Sequence, residues 1–198
     1  MTSPKVFIVT GASKGIGAAV TRHLLEQSHK VVVTARSAEP LEGIKKAYPG
    51  QVEYVAGDMT SAEAQAALGE LRKTKGCVVW VSSGAALKPY TGWSAYGSSK
   101  AALNSLSSHL AFEEKDITSI TVSPGRVDTD MQVQIRSSGQ QSMDKAQYDT
   151  FIEAFEQGKL LKPEQPGNVI AKFVASPQRE LSGKDLSWNS AELASYQE

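Results

Sequence analysis

The chain has 198 residues, 40% of them apolar and 21% charged, which suits one ordinary domain and excludes a fibrous repeat or a disordered chain. Its 21 basic and 21 acidic side chains cancel and no Lys/Arg cluster stands out, so the electrostatic footprint of a nucleic-acid binder is missing. Cys77 is the sole cysteine, no apolar run is long enough to span a bilayer, and the start Met1-Thr2-Ser3-Pro4-Lys5 lacks a signal-peptide core, so a cytoplasmic protein without a membrane role is expected.

Val6-Phe7-Ile8-Val9 is a short continuous apolar run of the kind found in strands buried on both faces of a parallel sheet. The glycine-bearing Thr10 to Gly17 follows, and Ile16, Ala19, Val20 and Leu24 then fall on one helical face up to Gln27. Val31 to Thr34 reads as a second strand, Leu41 to Tyr48 as a helix ended by Pro49-Gly50, and Val52 to Val55 as a third strand. Ser61 to Lys73 is helical with Ser61 as its cap, and Val78 to Val81 is a strand. Tyr96 to Glu114 predicts a long helix, Ile117 to Val122 a strand, and Pro163 to Ala175 a late helix before Asp185-Leu186-Ser187-Trp188. Asp130 to Gln165 is the least regular part, with Ser137-Ser138-Gly139 as a break. Alternating strands and helices of this kind predict an α/β fold with a doubly wound parallel sheet, one Rossmann-type domain over residues 1–198.

Thr10-Gly11-Ala12-Ser13-Lys14-Gly15-Ile16-Gly17 lies between the first strand and its helix, where a dinucleotide fingerprint belongs. Glycine permits the tight turn and close approach to a pyrophosphate, and the helix start offers unpaired N–H groups. Gly11, Gly15 and Gly17, with Ser13, Lys14 and Ile16 among them, are therefore candidate cofactor residues. At the end of the second strand an acidic residue would favour NAD, whereas an arginine accommodates the 2'-phosphate of NADP. Arg36 stands there, Lys14 adds a second cation, and no carboxylate occurs between Val31 and Ala38, so NADP(H) is expected. Ser82-Ser83 ends the fourth strand, Tyr96 follows Ser83 by thirteen positions, and Lys100 follows Tyr96 by four, which puts Tyr96 and Lys100 on one helix face. Taken singly, a tight strand-to-helix turn, a solvated arginine and a Pro-Gly turn at Pro124-Gly125 are ordinary alternatives.

In combination, T-G-x-x-x-G-x-G, the Ser-Ser strand end, Tyr96-x-x-x-Lys100 and Pro124-Gly125-Arg126-Val127-Asp128-Thr129 resemble the short-chain dehydrogenase/reductase family. Val81 to Asn104, Asp128 to Gln132 and Gly158 to Leu161 look like its benzil reductase or sepiapterin reductase-like branch. The resemblance implies NADPH-dependent reduction of a ketone or vicinal dicarbonyl, with Tyr96 as proton donor and Ser83 bonding the substrate oxygen. Lys100 would assist the phenol and bond the nicotinamide ribose. It further implies that Asp58 contacts the adenine, and that Pro124, Gly125, Val127 and Thr129 receive the nicotinamide carboxamide. A free phenol, with pKa near 10, exchanges protons poorly at neutral pH, so such a donor needs a cation beside it. Pterin is not expected as substrate, because uncharged Ser190 stands near the place of the acidic pterin anchor. Tyr90, Trp93 and Met131 either line a flat apolar pocket or simply pack, whereas His23, His29 and His109 show no metal or triad spacing.

Only eighteen residues, Met59 to Gly76, separate Asp58 from Cys77. The family places a helix, a central strand and a second helix there, which need on the order of forty residues. The resemblance therefore implies that one central strand is missing, together with a supporting asparagine and much of the helix that mediates oligomers. Either the strand Cys77 to Val81 moves into the empty slot, or the sheet splits and exposes unpaired backbone. Two functional readings follow: a working reductase of a small carbonyl substrate, and an impaired relative that retains at most cofactor binding. An RNA-binding Rossmann domain is a third, disfavoured by the neutral charge.

Overall fold

The computed structural model describes residues 3–57 and 63–197. The β-branched run Val6–Thr10 forms β1, followed by α1 (Gly15–Glu26), β2 (Lys30–Ala35), α2 (Ala38–Ala47) and β3 (Val52–Ala56). After α3 (Glu63–Thr74) come β4 (Cys77–Val81), α4 (Ser94–Glu113), β5 (Thr118–Ser123), α5 (Asp130–Ser138), α6 (Lys145–Glu156), α7 (Glu164–Ala175) and β6 (Asp185–Ser187). The alternation is the predicted one, except that 130–165 is more ordered than its breaks suggest. There Ser137-Ser138-Gly139 ends α5, and Asp144 accepts from the N–H groups of Ala146 and Gln147 to start α6.

All strand pairs are parallel, but they form two sheets in place of a single continuous one, ordered β1-β2-β3 and β4-β5-β6. Val9 lies opposite Val33 and Val33 opposite Tyr54 in the first sheet; Val79 lies opposite Ile120 in the second. Among the described residues β1 pairs only with β2 and β4 only with β5, so β4 has not moved beside β1. Of the two outcomes expected from counting residues, the split sheet is the one observed.

One apolar layer nevertheless runs beneath both sheets. Val9, Val31 and Val33 from the first share a core with Ile120 and Val122 from the second, filled by Leu24 of α1 and Phe173 of α7. Side chains alternate along β1, so Phe7 and Val9 meet this core while Val6 and Ile8 point away and remain 68% and 57% exposed. Among the described residues, no helix is long and apolar enough to cross a membrane.

Candidate active site

The glycine loop is shaped by what its glycines omit. Gly15 has φ +55°, and a Cβ there would lie 3.2 Å from Cγ2 of Thr129; a Cβ on Gly17 would collide with the carbonyl of Gly11. The loop is thus pressed against the 124–129 segment, joining two parts of the expected cofactor site. Ala12 N–H donates to Thr34 C=O at 3.2 Å, fastening the loop, including Gly11, to β2, and Ile16 packs on the core while Ser13 is half-buried. The first turn of α1 carries no side-chain cap and no acidic residue, which leaves its N–H groups and partial positive charge for an anion.

Arg36 is exposed just beyond β2, whereas Lys14 Nζ donates to Asp130 Oδ2 at 2.5 Å, both side chains being largely exposed. Asp58 lies outside the described residues.

The chemistry-bearing residues converge at the end of β4. Ser82 is buried and donates to Asn104 Oδ1 of α4 at 2.5 Å, while half-buried Ser83 accepts from Ala85 N–H at 3.2 Å and caps the short 3-10 turn Gly84–Ala86. That turn sits directly on α4: a Cβ on Gly97 would come 2.8 Å from the Ala85 carbonyl. Tyr96 occupies the first turn of α4, half-buried and edge-on to Trp93 with ring centroids 5.4 Å apart. One turn on, Lys100 places Nζ 5.8 Å from the centre of the Tyr96 ring and donates to the Val81 carbonyl at 2.9 Å. Burial holds the Lys100 ammonium below its ordinary pKa. The structure therefore brings Tyr96 and Lys100 together, as their spacing predicts, and ties them to the strand end that carries Ser83.

On the other side of the site, Pro124 is buried and Gly125 sits against Leu161 and Trp188. Buried Val127 forms a bridge with Leu161, closed by Leu161 N–H to Arg126 C=O at 2.9 Å and Asp128 N–H to Leu161 C=O at 2.8 Å. The Thr129 side chain does not cap α5, although its carbonyl accepts from the N–H groups of Gln132 and Val133 at 2.9 and 3.3 Å. Tyr90 and Trp93 pack with Phe151 at 6.2 and 5.5 Å, in a satellite core with Ile135 and Met143, while Met131 remains exposed. Two participants escaped the sequence reading. Asp130 gave no sign that Lys14, 116 residues earlier, is its partner, whereas Phe151 was findable from the Tyr148, Phe151, Ile152 and Phe155 stripe of α6.

The remaining candidates are structural. His29 is buried, and its Nδ1 accepts from Lys5 N–H at 3.3 Å. Burial pushes the Cys77 thiol up to about 12, so it is unreactive at neutral pH. Among the described residues no three acids, histidines or cysteines gather as a metal site.

Residues 5–71 and 64–140 each match the short chain dehydrogenase family, and the chain belongs to that family of nicotinamide-dependent oxidoreductases. It is 34% identical over 250 aligned positions to an uncharacterized oxidoreductase of Saccharomyces cerevisiae, covering 97% of this chain and 98% of that one. A benzil reductase ((S)-benzoin forming) of the same yeast is 28% identical, with 98% and 99% covered. Among solved structures, a short chain dehydrogenase/reductase from Saccharomyces cerevisiae superposes with a TM-score of 0.90 at 31% identity, covering 99% of this chain and 100% of the other. The chain is shorter than these relatives: 198 residues meet 250 aligned positions, and the two family matches overlap at 64–71, within α3.

Proposed function

We propose that the protein binds NADP(H) and reduces a ketone or vicinal dicarbonyl to an alcohol, with Tyr96 as the proton donor. The observation that carries this reading is the placement of the Lys100 ammonium beside the Tyr96 ring and on the carbonyl of Val81, two residues before Ser83. The benzil reductase relative supports the substrate class.

The dinucleotide fits the chain. The open space where a Cβ on Gly11 would stand and the uncapped start of α1 suit the pyrophosphate; Arg36 suits a 2'-phosphate, and Pro124, Gly125, Val127 and Thr129 suit the carboxamide end. When bound, NADPH supplies the hydride. The protein does the rest. Ser83 Oγ uses a lone pair on Ala85 N–H, which leaves its own proton to donate to the substrate oxygen. Tyr96 then gives its phenolic proton to the same oxygen as negative charge develops there. Lys100 spends one of its three protons on Val81, leaving two for the ribose and for support of Tyr96 as it loses its proton. The single cysteine suits a reducing compartment, and we read the enzyme as cytoplasmic.

The split between β1 and β4 favours a second reading, in which cofactor binding survives but turnover is impaired, because a displacement of about 1 Å can cost about a hundredfold in rate. Titrating the purified protein with NADPH and NADH, then following NADPH oxidation with a panel of diketones, tests both. Tighter NADPH binding that Arg36→Asp abolishes, with turnover, supports the reductase; binding without turnover selects the impaired form; equal binding of both cofactors removes the NADP assignment.

A further inference from the structure

A parallel strand at a sheet edge leaves its outer N–H and C=O groups unpaired, and here two such edges belong to one fold. β1 is bonded on one side by β2, and β4 on one side by β5. A common apolar core holds both sheets together, and the 0.90 superposition on a solved relative covers 99% of this chain, so each half keeps its place in the complete fold.

Among the described residues the side of the first sheet that faces away from the shared core lacks a cover. Val6, Ile8 and Val55 alternate away from the shared core and are 68%, 57% and 50% exposed. In the second sheet, α4 lies on this side: Ser107 of α4 bonds Ser119 of β5 at 2.9 Å, while Ile120 and Val122 face the core. Leu106 and Phe112 of α4 are 52% and 74% exposed. The two family matches overlap at 64–71, within α3 and between the two edges in chain order, and the alignment to the yeast oxidoreductase is about fifty positions longer than this chain, enough for a strand of five or six and two flanking helices.

We propose that this open face is a docking site for a helix-strand-helix segment supplied by another polypeptide, its strand entering between β1 and β4 and a helix covering Val6, Ile8, Leu106 and Phe112. The strand would be β-branched and apolar on both faces, because it pairs on both edges and is covered above and below. This goes beyond the proposed reductase function, and its test does not depend on turnover.

The probe is a synthetic peptide carrying the segment of the Saccharomyces cerevisiae oxidoreductase that has no counterpart here. Added to the whole protein, it is expected to raise Tm with its concentration, to slow amide exchange in Val6–Thr10 and Cys77–Val81 at least tenfold, and to perturb the fluorescence of half-buried Trp80. A scrambled peptide should do none of these. Ile8→Lys, at an exposed position that leaves β1 bonded to β2, should weaken binding at least tenfold. Exchange protection unchanged at saturating peptide would overturn the proposal, as would undiminished binding by Ile8→Lys protein. So would protection of both edges in the peptide-free protein through a dimer that dissociates on dilution, which would make a second copy the occupant.

Discussion

A 2'-phosphate drawn to Lys14, the second cation of the expected NADP site, would lie beside the Asp130 carboxylate that already accepts one of the three Lys14 protons, which would make Asp130 a competitor of that phosphate. Replacing Asp130 with Asn removes the competing charge and keeps the side-chain volume. The pair joins two side chains that are 70% and 76% exposed, and such a contact is worth about 0.2 to 1 kcal/mol. Freeing Lys14 should therefore tighten NADPH by up to about fivefold. NADH, without the 2'-phosphate, should gain less. Fluorescence titration of both cofactors at low salt measures the difference, and raising the ionic strength should shrink it, because exposed charges are screened beyond about 10 Å at 0.1 M. The Lys14→Ala, Asp130→Asn double variant completes the comparison: once Lys14 is gone, Asp130→Asn should no longer help NADPH. If Asp130→Asn improves NADH as much as NADPH, or helps NADPH equally without Lys14, the competition does not exist.

Tyr96→Phe should remove at least about 99% of any diketone reduction, the lower end of the hundredfold to ten-thousandfold range for general acids, while NADPH affinity measured by titration stays nearly unchanged. Restoring a helix-strand-helix segment in cis between Leu68 and Leu71 should raise Tm and speed turnover at least about a hundredfold; equal melting and equal rates in the two chains would show that the gap is harmless. His29 is kept neutral by burial and by the Lys5 cation, so its folded pKa lies below the unfolded value of about 6.5. The unfolded chain takes up the proton first, so this stabilisation is complete above about pH 6.5 and is lost as the pH falls through the lowered folded value. Tm should thus drop between pH 7.5 and 5, and His29→Gln should flatten the drop, with His23, lowered mainly by burial, leaving a residual slope of the same sign.

Features governed by neighbours in sequence were legible. Val6 to Val9 reads as a strand because β-branched and aromatic residues without polar interruption suit nothing else so short, although its expected burial on both faces is not met, Val6 and Ile8 being exposed; Tyr96 with Lys100 needed only the helical repeat. Even the split sheet was one of two outcomes set by counting residues between Asp58 and Cys77. Contacts decided by folding were not legible. The partner of Lys14 is brought in by the approach of α5 to the glycine loop, and the role of Ser83 as a cap depends on the turn that follows it. The helices between 130 and 156 were obscured by Ser137-Ser138-Gly139, whose break was correctly placed but separates two ordered elements.

Among the described residues no backbone hydrogen bond joins 3–57 to 77–197. The seam is crossed by the packing of α1 on α7 and by a few side-chain links, among them Lys5 Nζ to the Ala175 carbonyl at 2.6 Å and Arg22 to Glu164 at 3.6 Å. Apolar contact alone is a softer coupling than a continuous ladder, so the two halves are expected to separate under urea in two steps, the glycine-loop half first, where a continuous sheet would melt in one. A dinucleotide bound by both Arg36 and Thr129 would span that seam, and would act on this protein as a mechanical clasp as much as a reactant.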